Sequence, residues 1–178
     1  MSIIKNLQID EKGWFAEGMF ISNSIFQGEI KIVIFVDDGA TVEYAEECIR
    51  HYNELINKDE LCKELQEKLA KFFLYMYDEW EAMGIYDEIV DKMKPVMEGY
   101  NSGKKLIDYL GRPTLYVYAP QGNGFGYGIK CECPWEPEHQ CLILIRNDEL
   151  LYVGPSDGLD AWSDKDEYYC IWNDTDKN

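Results

Sequence analysis

The most regular alternation of hydrophobic and polar residues lies between residues 122 and 158. In the first strand of this stretch, apolar side chains occupy every second position, which indicates a sheet with one buried side. The residues on that side are Tyr127, Ile129, Cys131, Cys133 and Trp135. Two nearly continuous apolar runs follow, at residues 142–145 and 150–153. Such runs are typical of strands that are covered on both faces.

Glycines occupy alternate positions from Gly122 to Gly128. A phosphate-binding loop places its glycines between a strand and a helix, so that the helix N-terminus faces the phosphate. Here a strand follows instead. We therefore predict a flexible loop entering a strand whose bare side admits a close neighbour.

Before this stretch the pattern changes from strands to helices. Residues 14–36 alternate as strands, and the Asp-Asp-Gly sequence at residues 37–39 ends them. From Thr41 onward, apolar residues recur every three or four positions, which predicts helices. Thr41 suits an N-cap, and Gly84 suits the end of the second helix.

A third helix is predicted over residues 87–100, where Pro95 must kink it or begin a new turn. Ser102 is expected to cap a short helix at residues 104–110. Two further strands are predicted at residues 114–118 and, at the sheet edge, 167–172.

These elements predict one α+β domain over residues 1–178. A helical block is inserted between N-terminal and C-terminal strands of an antiparallel or mixed sheet. The chain length suits a single well-packed core.

The net charge restricts the classes of partner that the protein can bind. The chain carries 34 Asp and Glu residues against 17 Lys and Arg, a net charge of -17. Such a surface repels phosphate backbones and anionic lipids, so we expect neither nucleic acid nor a membrane as a partner. It attracts a basic protein. Charge that only keeps a protein soluble would give the same composition.

We expect a cytoplasmic protein with reduced thiols. The N-terminal residues lack the apolar core of a signal peptide, and the longest apolar run, at residues 32–36, is too short to cross a bilayer. The cysteines do not form a disulfide framework. They are Cys48, Cys62, Cys131, Cys133, Cys141 and Cys170.

Four residues offer a possible zinc site. If the strands around them form a hairpin, Cys131, Cys133, His139 and Cys141 share one face, and a set of three cysteines and one histidine is chemically sound. Both pairs are separated by one residue, which is closer than is usual in structural zinc sites. Small buried cysteines that alternate along a strand would give the same sequence pattern.

The sequence Trp135-Glu136-Pro137-Glu138-His139 is the most distinctive in the chain. Two carboxylates beside an imidazole could carry out acid–base chemistry. A tight corner fixed by the tryptophan and the prolines is the other interpretation, with the imidazole pKa raised by the neighbouring acids.

An acidic segment follows the last strand. Asp157, Asp160, Asp164 and Asp166 do not match the spacing of an EF-hand calcium loop. The aromatic residues among them, including Trp162, suit a surface that binds a basic partner. They would equally suit rings that complete the core at the sheet edge.

The run from Cys133 to His139, followed by the strand at residues 149–154, resembles a family of uncharacterised bacterial domains. The order of N-terminal strands and helical block is similar as well. Several such domains look like immunity-type proteins that neutralise a partner toxin, which implies no catalytic residues. Members often carry glycine after the histidine, where this chain has Gln140, so the turn is expected to differ there.

The leading hypothesis is therefore a non-enzymatic acidic binding protein without a cofactor. It would be an immunity protein that neutralises a basic toxin such as a nuclease. The alternatives are a zinc-binding or hydrolytic protein centred on the cysteines, Glu136 and His139, and a scaffold whose sheet edge pairs with a second copy in a homo-oligomer. The residues expected to bind the partner are Trp135, Glu136, Glu138, His139, Asp157, Asp160, Trp162, Asp164 and Asp166.

Overall fold

The computed structural model describes residues 2–84 and 87–173. Within them, seven strands form one sheet: β1 Lys5–Ile9, β2 Ala16–Asn23, β3 Gln27–Ile34, β4 Gly111–Val117, β5 Gly126–Glu132, β6 Cys141–Arg146 and β7 Glu149–Pro155. The α-helices are α1 Val42–Glu54, α2 Asp59–Met83 and α3 Asp87–Asn101. Short 3₁₀ helices lie at Leu55–Asn57, Leu106–Tyr109, Lys165–Tyr168 and Ile171–Asn173.

The strands lie in the sheet in the same order as in the chain. Neighbouring strands are antiparallel except β3 and β4, which are parallel and are connected by the three helices. A parallel pair needs a long crossover connection, and the helical block supplies it. The predicted α+β class, with a helical block between two groups of strands, is confirmed.

Local sequence signals fix the helix ends. The Thr41 side chain accepts a hydrogen bond from the Tyr44 amide at 3.1 Å, and α2 ends at Gly84 with a φ of 64°. Both predictions are confirmed. The cap predicted for Ser102 is wrong, because its hydroxyl donates back to the Gly99 carbonyl at 2.9 Å and so belongs to the end of α3. The following 3₁₀ helix has no side-chain cap.

The sheet has two different faces. The helical face carries Ile32, Ile129 and Ile143, which belong to the main core with the helices. The outer face carries Leu142 and Leu144, which form a second apolar cluster. The apolar run in β6 is therefore buried on both faces, as predicted.

The C-terminal segment, residues 156–173, covers part of the outer face. Tyr168 and Cys170 pack in the second cluster, whose buried members lie in β6, β7 and this segment. The predicted edge strand at residues 167–172 is wrong. The segment forms two 3₁₀ turns instead, because Asp164 and Glu167 make reciprocal hydrogen bonds that start the first one. The alternating apolar residues face the sheet without joining its ladder.

The edge strand β1 was missed. All five of its residues are exposed, and the apolar alternation is limited to Leu7 and Ile9, which is too short to indicate a strand. It also contains a bulge, where Asn6 has a φ of 53°.

No helix in the described part of the chain is both long and apolar enough to span a membrane.

Gly126 lets the C-terminal segment approach the sheet, as the alternating glycines predicted. A Cβ atom at Gly126 would lie 2.7 Å from the Trp162 ring, whereas one at Gly122 would lie at an ordinary 3.5 Å. We expect Gly126→Ala to lower the free energy of unfolding by about 1–3 kcal/mol, because the indole must move. Urea unfolding measures this change. Gly122→Ala is the matched control, with an expected change of no more than about 1 kcal/mol. Equal effects in the two variants would contradict the packing role.

Candidate functional site

Trp135 anchors the corner between β5 and β6, residues 133–140. Its side chain is fully buried. Its ring packs nearly edge-on against Phe72 and Phe73 of α2, with centroid distances of 6.3 and 5.1 Å. Its carbonyl accepts a hydrogen bond from the Trp80 indole nitrogen at 2.9 Å. The corner is therefore attached to the longest helix by both apolar and polar contacts.

Glu136 holds the turn from inside. It is only 6% exposed, and its Oε1 accepts the His139 amide at 3.2 Å and lies 3.0 Å from His139 Nδ1. Buried carboxylates require such partners. Trp135 and Glu136 were both expected on a partner surface, but their buried side chains serve the corner itself. Pro137, Glu138 and His139 are the exposed residues of this sequence.

Carboxylates surround the exposed His139 imidazole. Its pKa is raised above the ordinary 6.5, first by the hydrogen bond and charge of Glu136 and then by Asp157 and Glu138. Its side chain is 53% exposed. The corner therefore presents a negative electrostatic field to solvent.

The four candidate zinc ligands do not meet at one point, because the cysteines lie in the core and His139 lies at the surface. Cys131 and Cys141 are directly opposite in the β5–β6 ladder, and with Cys133 they are at most 4% exposed. Burial raises the pKa of the Cys131 and Cys133 thiols well above the usual value, which keeps them protonated. The His139 ring lies at the surface, with its Nδ1 3.0 Å from the Glu136 carboxylate. Among the described residues, no group of three His, Cys, Asp or Glu side chains could hold a metal ion.

A groove of about 860 Å³ lies between the corner and α3. Pro134 and Pro137 form one wall, and Pro95 and Val96 of α3 form the other. Its charged lining residues are of both signs: Asp91, Lys92 and Glu132. The groove therefore has no charge preference that would select a ligand.

The acidic segment after β7 is shaped by its own side chains. Asp160 Oδ1 accepts the Trp162 amide at 2.6 Å, and Asp164 caps the first 3₁₀ turn. The Trp162 ring lies against Gly126 and is partly exposed. Asp157, Asp164 and Asp166 are exposed, whereas Asp160 is only partly so. These carboxylates are available at the surface, as the binding hypothesis requires.

Sequence reasoning missed a buried polar network around His51. His51 is 8% exposed; its Nδ1 lies 2.9 Å from the Tyr127 hydroxyl and its Nε2 lies 3.0 Å from Asp148. The Lys58 ammonium, 2.8 Å from Asp148, and then His51 lower the pKa of that carboxyl. The network joins α1 to β5 and to the β6–β7 turn. Its members are far apart in the chain, so no local pattern could have revealed it.

An aromatic shelf, formed by Phe35, Tyr116 and Tyr118, was also missed. The Phe35 and Tyr118 rings stack with centroids 4.1 Å apart and planes within 5°. The Tyr116 ring lies 6.0 Å from that of Phe35. All three rings are partly exposed on the outer face, at the carboxyl ends of β3 and β4.

The shelf lies beside carboxylates. Burial raises the pKa of Tyr118 to about 12, and the charges of Asp160 and Asp38 add to the effect. The signal in the sequence was the alternation of aromatic residues at positions 35, 116 and 118 with buried neighbours. The pairing of β3 with β4 brings these positions together.

Fold and site together define an α+β protein with one mixed sheet, a tryptophan-anchored corner and an acidic segment over part of the outer face. The chain belongs to the DUF6985 family, a domain of unknown function whose family model matches residues 3–161. This confirms the resemblance to a family of uncharacterised domains. The two 3₁₀ turns that cover β6 and β7 lie beyond the match. No curated protein and no solved structure shows a significant match.

Glu136 is the main cause of the raised His139 pKa, which gives a direct prediction. We expect Glu136→Gln to lower the His139 pKa, measured by NMR titration of the imidazole protons. Because the folded value is raised, the stabilisation from protonated His139 is fully present below pH 6.5 and is lost as the pH rises through the folded value. Glu132→Gln is the control and should leave this titration unchanged. An unchanged titration in Glu136→Gln would contradict the assignment.

Gln140 adopts a left-handed backbone, with a φ of 65°. A side chain costs about 1–2 kcal/mol in this conformation, and glycine avoids that cost. We therefore expect Gln140→Gly to raise the thermal unfolding midpoint. Glu138→Gly, at a neighbouring position without a positive φ, should lower it. A lower midpoint in Gln140→Gly would show that lost side-chain contacts outweigh the relieved strain.

Proposed function

We propose that this chain is a non-enzymatic acidic binding protein of the immunity type. It neutralises a basic toxin, such as a nuclease, by covering the surface with which the toxin binds nucleic acid. The observation that carries the proposal is an acidic patch of four carboxylates, Asp38, Glu138, Asp157 and Asp160. The Ser156 amide donates to the His139 carbonyl, and Leu159 lines a cavity with Tyr118. The segment that carries Asp157 and Asp160 therefore runs from the corner to the aromatic shelf, beside which the loop with Asp38 lies.

The distribution of charge along the chain supports this proposal. Residues 1–36 contain four acidic residues and three lysines, so this part is nearly neutral. The remaining residues contain 30 acidic residues against 14 basic ones. If the acids served solubility alone, they would not need to avoid the N-terminal strands. Half of this excess lies in the helical block, which has 15 acidic residues against 7 basic ones at residues 41–101, and the other half lies in residues 37–40 and 102–178, which carry the acidic patch.

The chemistry of the partner follows from this charge. A protein that binds nucleic acid presents lysine and arginine side chains to phosphates. Carboxylates on a rigid surface can take the place of those phosphates, and long-range attraction speeds the encounter at low salt. The acidic patch lies on loops that connect or follow strands, and the Asp160 carboxylate is fixed there by the hydrogen bond that it accepts from the Trp162 amide. Such preorganisation reduces the entropy lost on binding.

The zinc-binding or hydrolytic alternative has less support. The three cysteines that this alternative requires are buried thiols in the core. The histidine lies at the surface, where it contacts the Glu136 carboxylate. Metal analysis of the purified protein would test it directly, since stoichiometric zinc would favour that alternative.

The binding test uses the purified product of the neighbouring gene, titrated into the full chain by calorimetry. We expect a complex whose affinity falls steeply as the salt concentration rises. The double variant Glu138→Lys/Asp157→Lys should weaken it by about tenfold or more. Glu11→Lys/Glu29→Lys changes the net charge equally in the nearly neutral region and is the matched control. The absence of a complex at low salt would overturn the proposal. Equal losses in both variants would show that net charge alone attracts the partner.

A further inference from the structure

We propose that the aromatic shelf of Phe35, Tyr116 and Tyr118 is the contact point for an arginine-rich segment of the basic partner. This inference rests on the proposed function and names both the surface and the side chain that it recognises. The shelf was not among the residues expected to bind a partner. The argument depends on its position in the sheet, its free surface and the two carboxylates beside it.

The shelf lies where the two parallel strands of the sheet end. The loops that follow β3 and β4 meet there, since a Cβ atom at Gly39 would lie 3.8 Å from the Ala119 Cβ. In open sheets with parallel strands, ligands are frequently bound just outside the carboxyl ends of the strands. Asp38 belongs to the first of these loops, and Asp160 reaches the shelf from the C-terminal segment. Both carboxylates act on Tyr118.

The C-terminal segment leaves part of the shelf exposed. The buried residues of its cluster contact β6 and β7, whereas the shelf lies on β4 and just after β3. A cavity of about 100 Å³ separates the segment from the rings and is lined by Tyr116, Tyr118 and Leu159. Gly128 at the floor of this cavity is closely packed, since a Cβ atom at that position would lie 3.1 Å from Leu144. The cavity is too small for a folded segment but has room for a single side-chain head group.

Arginine fits this combination better than lysine does. A guanidinium is planar, stacks on aromatic faces and forms paired hydrogen bonds with a carboxylate. The stacked Phe35 and Tyr118 rings supply a partly exposed aromatic surface, and Asp38 and Asp160 supply the carboxylates near it. A lysine ammonium gains from the negative charge but cannot stack as a plane. The one cation in the described lining of the cavity, Lys130, opposes either ligand.

The same chain already places an arginine against an aromatic ring nearby. The Arg146 guanidinium lies 5.8 Å from the Trp162 ring centroid. Cation–π contacts of this kind are modest at exposed sites and stronger where water is excluded. The shelf therefore contributes selectivity for arginine, while the carboxylates attract any cation.

The test compares two ten-residue peptides, one alternating Arg with Gly and the other alternating Lys with Gly. Each is titrated into the full-length protein at low salt, by calorimetry and by NMR of the tyrosine rings. We expect the arginine peptide to bind about fivefold more tightly and to shift the Tyr118 ring signals. Tyr118→Leu should remove this preference while leaving lysine-peptide binding nearly unchanged. Tyr118→Phe keeps the ring face and should retain the preference.

Two controls separate the shelf from general charge and from misfolding. Tyr169→Leu removes an exposed tyrosine away from the shelf and should leave the preference intact. Lys130→Gln should tighten binding of both peptides. Thermal unfolding establishes whether each variant is folded. If Tyr118→Leu is not folded, Tyr118→Phe still tests the role of the ring face.

Equal binding of the two peptides, no binding of either, or a preference that survives in folded Tyr118→Leu would overturn the shelf proposal. The proposed function would still stand if the product of the neighbouring gene forms its salt-dependent complex. Failure of that complex together with arginine selectivity on the shelf would overturn the immunity role alone.

Discussion

The contact between the Trp135 ring and α2 determines how the rest of the fold is arranged. It places the end of β5 and the start of β6 against Phe72 and Phe73, and the Trp80 hydrogen bond fixes the backbone there. Because β6 is central to the second half of the sheet, the position of the corner determines where the outer face lies. The acidic loop after β7 is held in turn by the sheet beneath it.

Periodicity alone was enough to predict the helices, the core strands and the two-sided burial of β6. Each depends on side chains within one turn or one strand, such as the Thr41 cap and the Gly84 stop. It failed at the exposed strand β1 and at the C-terminal segment. In β1 the backbone makes the ladder bonds, and the two apolar side chains, Leu7 and Ile9, are exposed and too few to indicate a strand. In the segment, alternating apolar residues pack on a sheet without pairing to it.

The candidate site was predictable only in part. Glu138, Asp157 and Asp166 are exposed as the hypothesis needs, but Trp135 and Glu136 are buried because a rigid corner requires them internally. The shelf and the His51 network depend on strand pairing across many residues. Without the register between β3 and β4, nothing in the sequence places position 35 beside position 118. The pairing of strands that are distant in the chain cannot be predicted from a single sequence.

The side chains that cover the β7 edge affect how copies of this protein can assemble. Lys68 donates to the Leu150 carbonyl at 3.0 Å, and the Trp172 ring crosses from Gly154 to within 4.8 Å of the Phe72 ring. A filament of this protein would need β1 of each molecule to add to β7 of the next, in a head-to-tail array that never closes. A lysine and a tryptophan already occupy that edge. Contacts within the fold therefore protect the β7 edge against open-ended polymerisation. Without them, charge repulsion between molecules would have to prevent it.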